Sequence, residues 1–407
     1  MDIEGGQWWG IVQELLDRSH LWRPEDLAGI LAGAAAGSGL EMTAYLVDPE
    51  QRSLRPLAVP GRPTPAPEPI DGTDAGRAFA LVESMPGDDR RWAPMVNGTD
   101  RLGVLDVRLP PGARQDERLA RACETLAGLV GHLITTTTPR GDHLDLARRT
   151  RPMTPGAELL WQLLPPLTVS VADFAVAAVL EPTYDVGGDA YDYAVDARRP
   201  QFVVLDAAGR RLRAGLAAAV VLSYIRATRR AGGDLLDQAR AADEELLRQF
   251  PDARFATAIL AELDLDTGVL RYLNAGHPPP LVLRAGKVVE TLTAGRRTPL
   301  GIEDPRSTYG ETRLTPGDRL LLYTDGVTEA RNTAGEQFGV QRLADSVEHH
   351  ANDGLPLPET LRRLSHTVLE HQAGPPADDL TLLLVEWSAA AAKRTVPPTS
   401  RADDQAG

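Results

Sequence analysis

Apolar positions fall on two periods along this chain, and the changes between them mark its elements. Near the start, Trp8, Ile11, Val12, Leu15 and Leu16 recur at helical spacing, so residues 7–21 are predicted to form a helix. A second helix is predicted after Pro24, from Leu27 to Ala36. Alternation then takes over, predicting strands at 42–47 and 54–59. A proline-rich loop at 61–69 leads to a helix entered at Thr73 or Asp74. Paired strands follow at 91–96 and 101–107, with Asn97-Gly98 as their turn. A helix over 115–134 carries Leu119, Cys123, Leu126 and Val130 on one stripe, which places Cys123 in a core. The tryptophans Trp8, Trp9, Trp22 and Trp92 read as core or interface residues before they read as a ligand pocket.

The pattern then breaks. Thr135–Thr138, Pro139, Gly141, three arginines (148, 149, 151) and Pro152 have the composition of a linker. Thr154-Pro155 restarts a helix with Leu159, Leu160, Leu163 and Leu164, which stops at Pro165-Pro166. So short an apolar helix has to dock on something, either as edge packing or as a relay between domains. From residue 169 strands are predicted at 174–180, 191–195 and 202–205, then helices at 212–229 and 235–250. A hairpin spans 255–265 and 269–274, a pair 281–283 and 288–292, and a buried strand 319–323. Helices at 340–349 and 359–371 precede a last strand at 380–387. Hairpin-linked strands exclude an all-parallel sheet. Helix pairs between strand runs predict an α+β fold, a four-layer α/β/β/α sandwich. Residues 389–407, alanine-rich and then rich in Pro, Ser and Asp, are expected to be a disordered tail.

Composition narrows the partners. A net charge of −14 over 407 residues argues against nucleic acid or an anionic membrane as the main partner. One cysteine allows no intrachain disulfide and no cysteine-built zinc site. The acidic N-terminus lacks a signal-peptide pattern and no apolar run spans a bilayer, so a cytoplasmic protein is expected.

The chemistry is expected from four aspartates, each at the edge of an apolar run. Asp189 follows a Gly187-Gly188 turn, and Asp206 ends Val203-Val204-Leu205. Asp325 follows Leu321-Leu322-Tyr323-Thr324, and Asp378 precedes Asp379-Leu380-Thr381. Carboxylates form an all-oxygen set that suits Mg²⁺ or Mn²⁺. Two like charges at about 4 Å repel by roughly 4 kcal/mol at an effective dielectric near 20, so converging acids need cations or protons. Any single Asp-Gly or Asp-Asp pair alone is better read as a turn or cap.

As an ordered set, 186–192, Asp206-Ala207-Ala208-Gly209, 274–280, 321–326 and 378–383 resemble the metal-dependent PPM serine/threonine phosphatases of the bacterial SpoIIE/RsbU kind. The resemblance implies two Mn²⁺ or Mg²⁺ ions, held by Asp189, a bridging Asp206, the Ala207 carbonyl, Asp325 and Asp378, with Asp379 adjoining. It implies hydrolysis of phosphoserine or phosphothreonine by activated water, with Asp189 and Asp206 as catalytic residues. It further implies a protein substrate such as a STAS-type anti-anti-sigma factor. Gly209-Arg210-Arg211 departs from the family's Gly-His-Gly turn, which either strains the loop or supplies a phosphate contact. His277 reads as a strand end or a proton shuttle; Glu329 and Arg331 flank a loop.

Segments 71–79 and 101–107 resemble a GAF domain, which implies a sensory or dimerising module. The expected organisation is a GAF-like domain at 1–138, a linker and relay helix at 139–168, a phosphatase domain at 169–388 and a tail at 389–407. A homodimer through the N-terminal region and linker helix is consistent with it. Two rival functions remain: a PPM-fold binding module with weakened catalysis, and another two-metal phosphohydrolase acting on small molecules.

Overall fold

The computed structural model describes residues 5–196, 198–209, 211–250, 255–372, 374, 376 and 378–398. Arg210 and residues 399–407 of the expected tail lie outside them. Contacts divide the chain into two units, Met1–Arg151 with Lys393–Gly407, and Pro152–Ala392.

The first unit is built on one antiparallel six-stranded sheet. Its central strands are Glu41–Val47 and Asp100–Arg108, flanked by Ser53–Pro56 and Arg90–Asn97. Strand side chains alternate, and so do their partners. Met42, Ala44 and Leu46 face a core with the helices Gly5–Ser19, Leu27–Ala36 and Glu117–Thr137. Tyr45, Val47 and Trp92 face the Asp74–Leu81 helix, which Thr73 caps by accepting from the Gly76 amide at 3.0 Å. Cys123 is fully buried, and burial pushes its thiol up to about 12. Trp22 and Trp92 are buried, whereas Trp9 is exposed.

Part of the segment expected to be linker belongs here. The helix His143–Arg148 buries Leu144 in the first core. Arg148 donates to the Val47 carbonyl at 2.9 Å, and Arg55 donates to the Ala147 carbonyl at 3.0 Å. Of the arginines that suggest a solvated linker, Arg148 is thus a backbone partner and Arg151 pairs with Glu50 at 3.6 Å. The expected tail also begins with order, as the alanine-rich helix Ala389–Arg394.

The second unit holds two six-stranded sheets. One orders Arg296–Arg297, Val269–Ala275, Ala256–Leu263, Gln201–Ala207 and Asp189–Ala194, with Gly310–Arg313 also paired to Val269–Ala275. The other orders Lys287–Thr291, Leu281–Arg284, Arg319–Tyr323, Leu380–Trp387, Phe174–Glu181 and Thr168–Val171. Alternation fixes the layers. Phe174, Val176, Ala178 and Leu180 share a core with the first sheet and the helices Pro155–Leu163, Arg211–Arg230 and Leu235–Gln249. Ala175, Ala177 and Val179 pack instead with the helices Gly339–Ala351 and Leu357–His371. Helices, sheet, sheet and helices make a four-layer α+β sandwich. Among the described residues, no helix is long and apolar enough to cross a membrane.

Candidate metal centre

The acids meet because both sheets end at one corner. Asp206 and Asp189 are paired across neighbouring antiparallel strands. In the other sheet Tyr323 pairs with Leu382, so the chain leaving at Asp325 and the chain entering at Asp378 share an end. Asp185, Asp206, Asp378 and Asp379 line one cavity of about 150 Å³, together with Gly187, Gly188 and Arg211.

The Gly-Gly turn has a definite occupant. The amides of Gly187, Gly188 and Asp189 donate to Asp379 Oδ2 at 2.8, 2.7 and 3.3 Å. Three backbone donors on one carboxylate oxygen form a small anion-binding nest. A Cβ on Gly188 would lie 2.5 Å from the Ala207 carbonyl oxygen, and one on Gly187 would lie 2.7 Å from the Arg211 nitrogen. Glycine is required here for close approach of the chain to itself. Gly326 answers the same constraint, since its Cβ would meet the Asp379 carbonyl oxygen at 1.9 Å.

The electrostatics show what the corner lacks. Burial pushes Asp206 up to about 7, reinforced by Asp325, Asp378 and Asp379. Asp189, fully buried, is driven well above the carboxylate range by burial and then by Asp206 and Asp379. Hydrogen bonds from Thr324 and Thr381 offset part of that. Burial, Asp378 and Glu329 raise Asp325. Burial also raises Asp379, against the pull of the three amides. Carboxylates that repel one another, with no cationic side chain among the causes acting on them, fit hard divalent cations as their missing partner.

Supporting residues surround the acids. Thr324 Oγ1 donates to Asp189 Oδ2 at 2.7 Å and accepts from the Thr381 amide at 2.9 Å. Asp192, buried on the strand that Asp189 opens, accepts from Arg226 at 2.7 and 3.0 Å, and Arg229 lies 2.9 Å away. Arg226 also donates to the Leu163 carbonyl at 2.8 Å, tying the Pro155–Leu163 helix to the same strand. Sequence reasoning misses these roles: a threonine before Asp-Gly reads as a cap, and the Arg226 contact depends on tertiary packing.

Four other sequence candidates resolve differently. His277 is buried, with Nδ1 2.8 Å from Thr257 Oγ1, and burial drives its imidazole down to about 3. It stays neutral and structural, which removes it as a proton shuttle at neutral pH. Arg331 donates to the Gly335 carbonyl at 2.8 Å, closing its own loop, while Glu329 stays near Asp325. Arg211 adopts φ +55°, the left-handed conformation that a third glycine would favour.

A separate grouping could hold a metal. His349, His350 and Asp353 offer ligand atoms all within 4.8 Å of one another, at the end of the Gly339–Ala351 helix. It lies in the outer helix layer. Among the described residues no set of three corner acids is that tight.

Residues 196–388 match the family model described as Stage II sporulation protein E (SpoIIE). The match contains Asp206, Asp325, Asp378 and Asp379; Asp189 lies just before it and joins them through strand pairing. Protein IcfG of Synechocystis sp. is 31% identical over 134 residues, covering 33% of this chain and 21% of that protein. The phosphoserine phosphatase RsbP of Bacillus subtilis is 27% identical over 210 residues, covering 50% of this chain and 49% of that protein. The chain thus spans half or less of the length of these two curated relatives. The SiaA-PP2C domain of Pseudomonas aeruginosa is similar with 28% identity and a TM-score of 0.47, covering 52% of this chain and 86% of that one. Over residues 196–388 the chain is similar to the SpoIIE family, and the RsbP match supports a serine/threonine phosphatase domain in its C-terminal part.

Proposed function

We propose that this protein removes phosphate from phosphoserine or phosphothreonine on a regulatory protein, of the STAS anti-anti-sigma type. The carrying observation is the corner of buried, mutually repelling aspartates from two sheets. Asp189, Asp206, Asp325, Asp378 and the Ala207 carbonyl are the proposed ligands for two Mn²⁺ or Mg²⁺ ions. When bound, such ions lower the pKa of a water and neutralise charge on a transferring phosphoryl group. The chain supplies the rest. Asp379 locks the Gly-Gly turn, Thr324 orients Asp189, and the cavity walls orient the ester. The six-stranded sheet with helices on both faces supports a GAF-like sensory role for the N-terminal unit. The RsbP match supports a phosphoserine substrate.

The test is phosphate release from a phosphoserine protein with and without Mn²⁺. Asp206→Ala or Asp325→Ala is expected to cost at least ~100-fold in turnover, as loss of a metal-site group does. Turnover that survives either substitution, or that ignores Mn²⁺, rejects the proposal.

A further inference from the structure

Arg211 is the only described cation on the wall of the acid-lined cavity. Its side chain is exposed, and no hydrogen bond or ion pair joins it to another described residue. Its backbone lies close against Gly187, where a Cβ would stand 2.7 Å from the Arg211 nitrogen and 3.2 Å from its Cα. It also holds φ +55°, which L residues adopt at a cost. Its side chain therefore shares one cavity wall with four carboxylates, Asp185, Asp206, Asp378 and Asp379, yet pairs with none of them. With the acids engaged by divalent cations, its charge is left over. Its planar fork suits two oxygens of a phosphate better than a point charge would.

We infer that Arg211 grips the phosphate of the substrate. This rests on the phosphatase reading. It assigns a substrate contact at the position where the turn departs from Gly-His-Gly.

The experiment compares the full chain with Arg211→Gly, Arg211→Lys and Arg211→Gln in saturating Mn²⁺. Calorimetry reads the Kd of inorganic phosphate, and steady-state assays read KM and kcat on a phosphoseryl peptide. Arg211→Gly is expected to weaken phosphate binding and raise KM about tenfold or more, with a smaller change in kcat. The same change removes the left-handed cost, so its Tm is expected to rise. Weaker binding with a higher Tm cannot come from unfolding. Arg211→Lys keeps the charge but not the fork and should fall between. Arg211→Gln keeps length and backbone and serves if the glycine variant does not fold. Parental phosphate affinity in Arg211→Gly or Arg211→Gln overturns the inference, as does a parent that binds no phosphate. Absence of Mn²⁺-dependent turnover in the parent rejects the phosphatase reading instead, and the phosphate calorimetry still decides the role of Arg211.

Discussion

Two buried carboxylate sites, one in each unit, solve the same problem in opposite ways. In the N-terminal sheet Asp106 is buried, with Arg90 at 3.3 Å and Arg108 at 3.7 Å. Burial raises it to about 6, and the two arginines pull against that rise. In the C-terminal corner Asp206 rises to about 7, and every neighbour acting on it pushes the same way. The first site carries its own counter-charge. The second is left incomplete by its own chain, and that incompleteness is the physical signature of a cation site. A buried acid alone distinguishes nothing; the sign of what surrounds it does.

Adding divalent charge should act on one unit and not on the other. Mn²⁺ at about 1,000 times its Kd should stabilise the C-terminal unit by about 4.1 kcal/mol, because it binds only the folded corner. The N-terminal unit, whose acid already has partners, should not respond. Differential scanning calorimetry of the full chain, with and without Mn²⁺, reads both. An equal response from the Asp206→Asn variant would place the metal elsewhere, with the His349, His350 and Asp353 grouping first to examine.

The folded-state pKa of Asp106 lies near 6, above its ordinary 3.8. The folded unit therefore holds this proton more tightly than the unfolded chain does. Its contribution to stability is complete below about pH 4 and is lost as pH rises through 6. At about 1.4 kcal/mol for each tenfold difference in proton affinity, the loss is roughly 3 kcal/mol. Denaturant unfolding of the N-terminal unit between pH 4 and 7 measures it. Asp106→Asn should flatten that dependence, and an unchanged slope would remove Asp106 as its source.

How much of this corner could be read from the chain follows from where each signal is stored. The acids are legible because each stands at the edge of an apolar run, where a strand meets the surface. The layers are legible because consecutive residues of 174–180 are all apolar, as a strand buried on both faces requires. The grip of the Gly-Gly turn on Asp379 is not legible, since it closes only when residues 192 positions apart meet. The short strands Arg296–Arg297 and Gly310–Arg313 escape notice because so few residues carry no period. The helix His143–Arg148 hides behind Arg148, whose partner, the Val47 carbonyl, no sequence pattern displays.

The finest test of the contrast concerns the neutral donor at the incomplete site. Arg90 and Arg108 act on Asp106 with full charges, but Asp189 is met by hydroxyls, Thr324 Oγ1 at 2.7 Å and that of Thr381. The Thr324 hydroxyl also accepts from the Thr381 amide at 2.9 Å, so it joins the ends of two strands to the acid. Thr324→Val keeps the shape and removes both bonds. The Thr381 amide loses its acceptor, and Asp189 loses a bond that holds its carboxyl down against burial. The expected loss is about 1 kcal/mol, equivalent to about 2–4 °C in Tm for a unit of this size. Mn²⁺ affinity should fall with it, because a carboxyl driven further upward gives up its proton less readily to a metal. Calorimetric titration of Thr324→Val with Mn²⁺ checks this. An unchanged affinity beside a lowered Tm would show that the hydroxyl braces the strands and leaves the acid untouched.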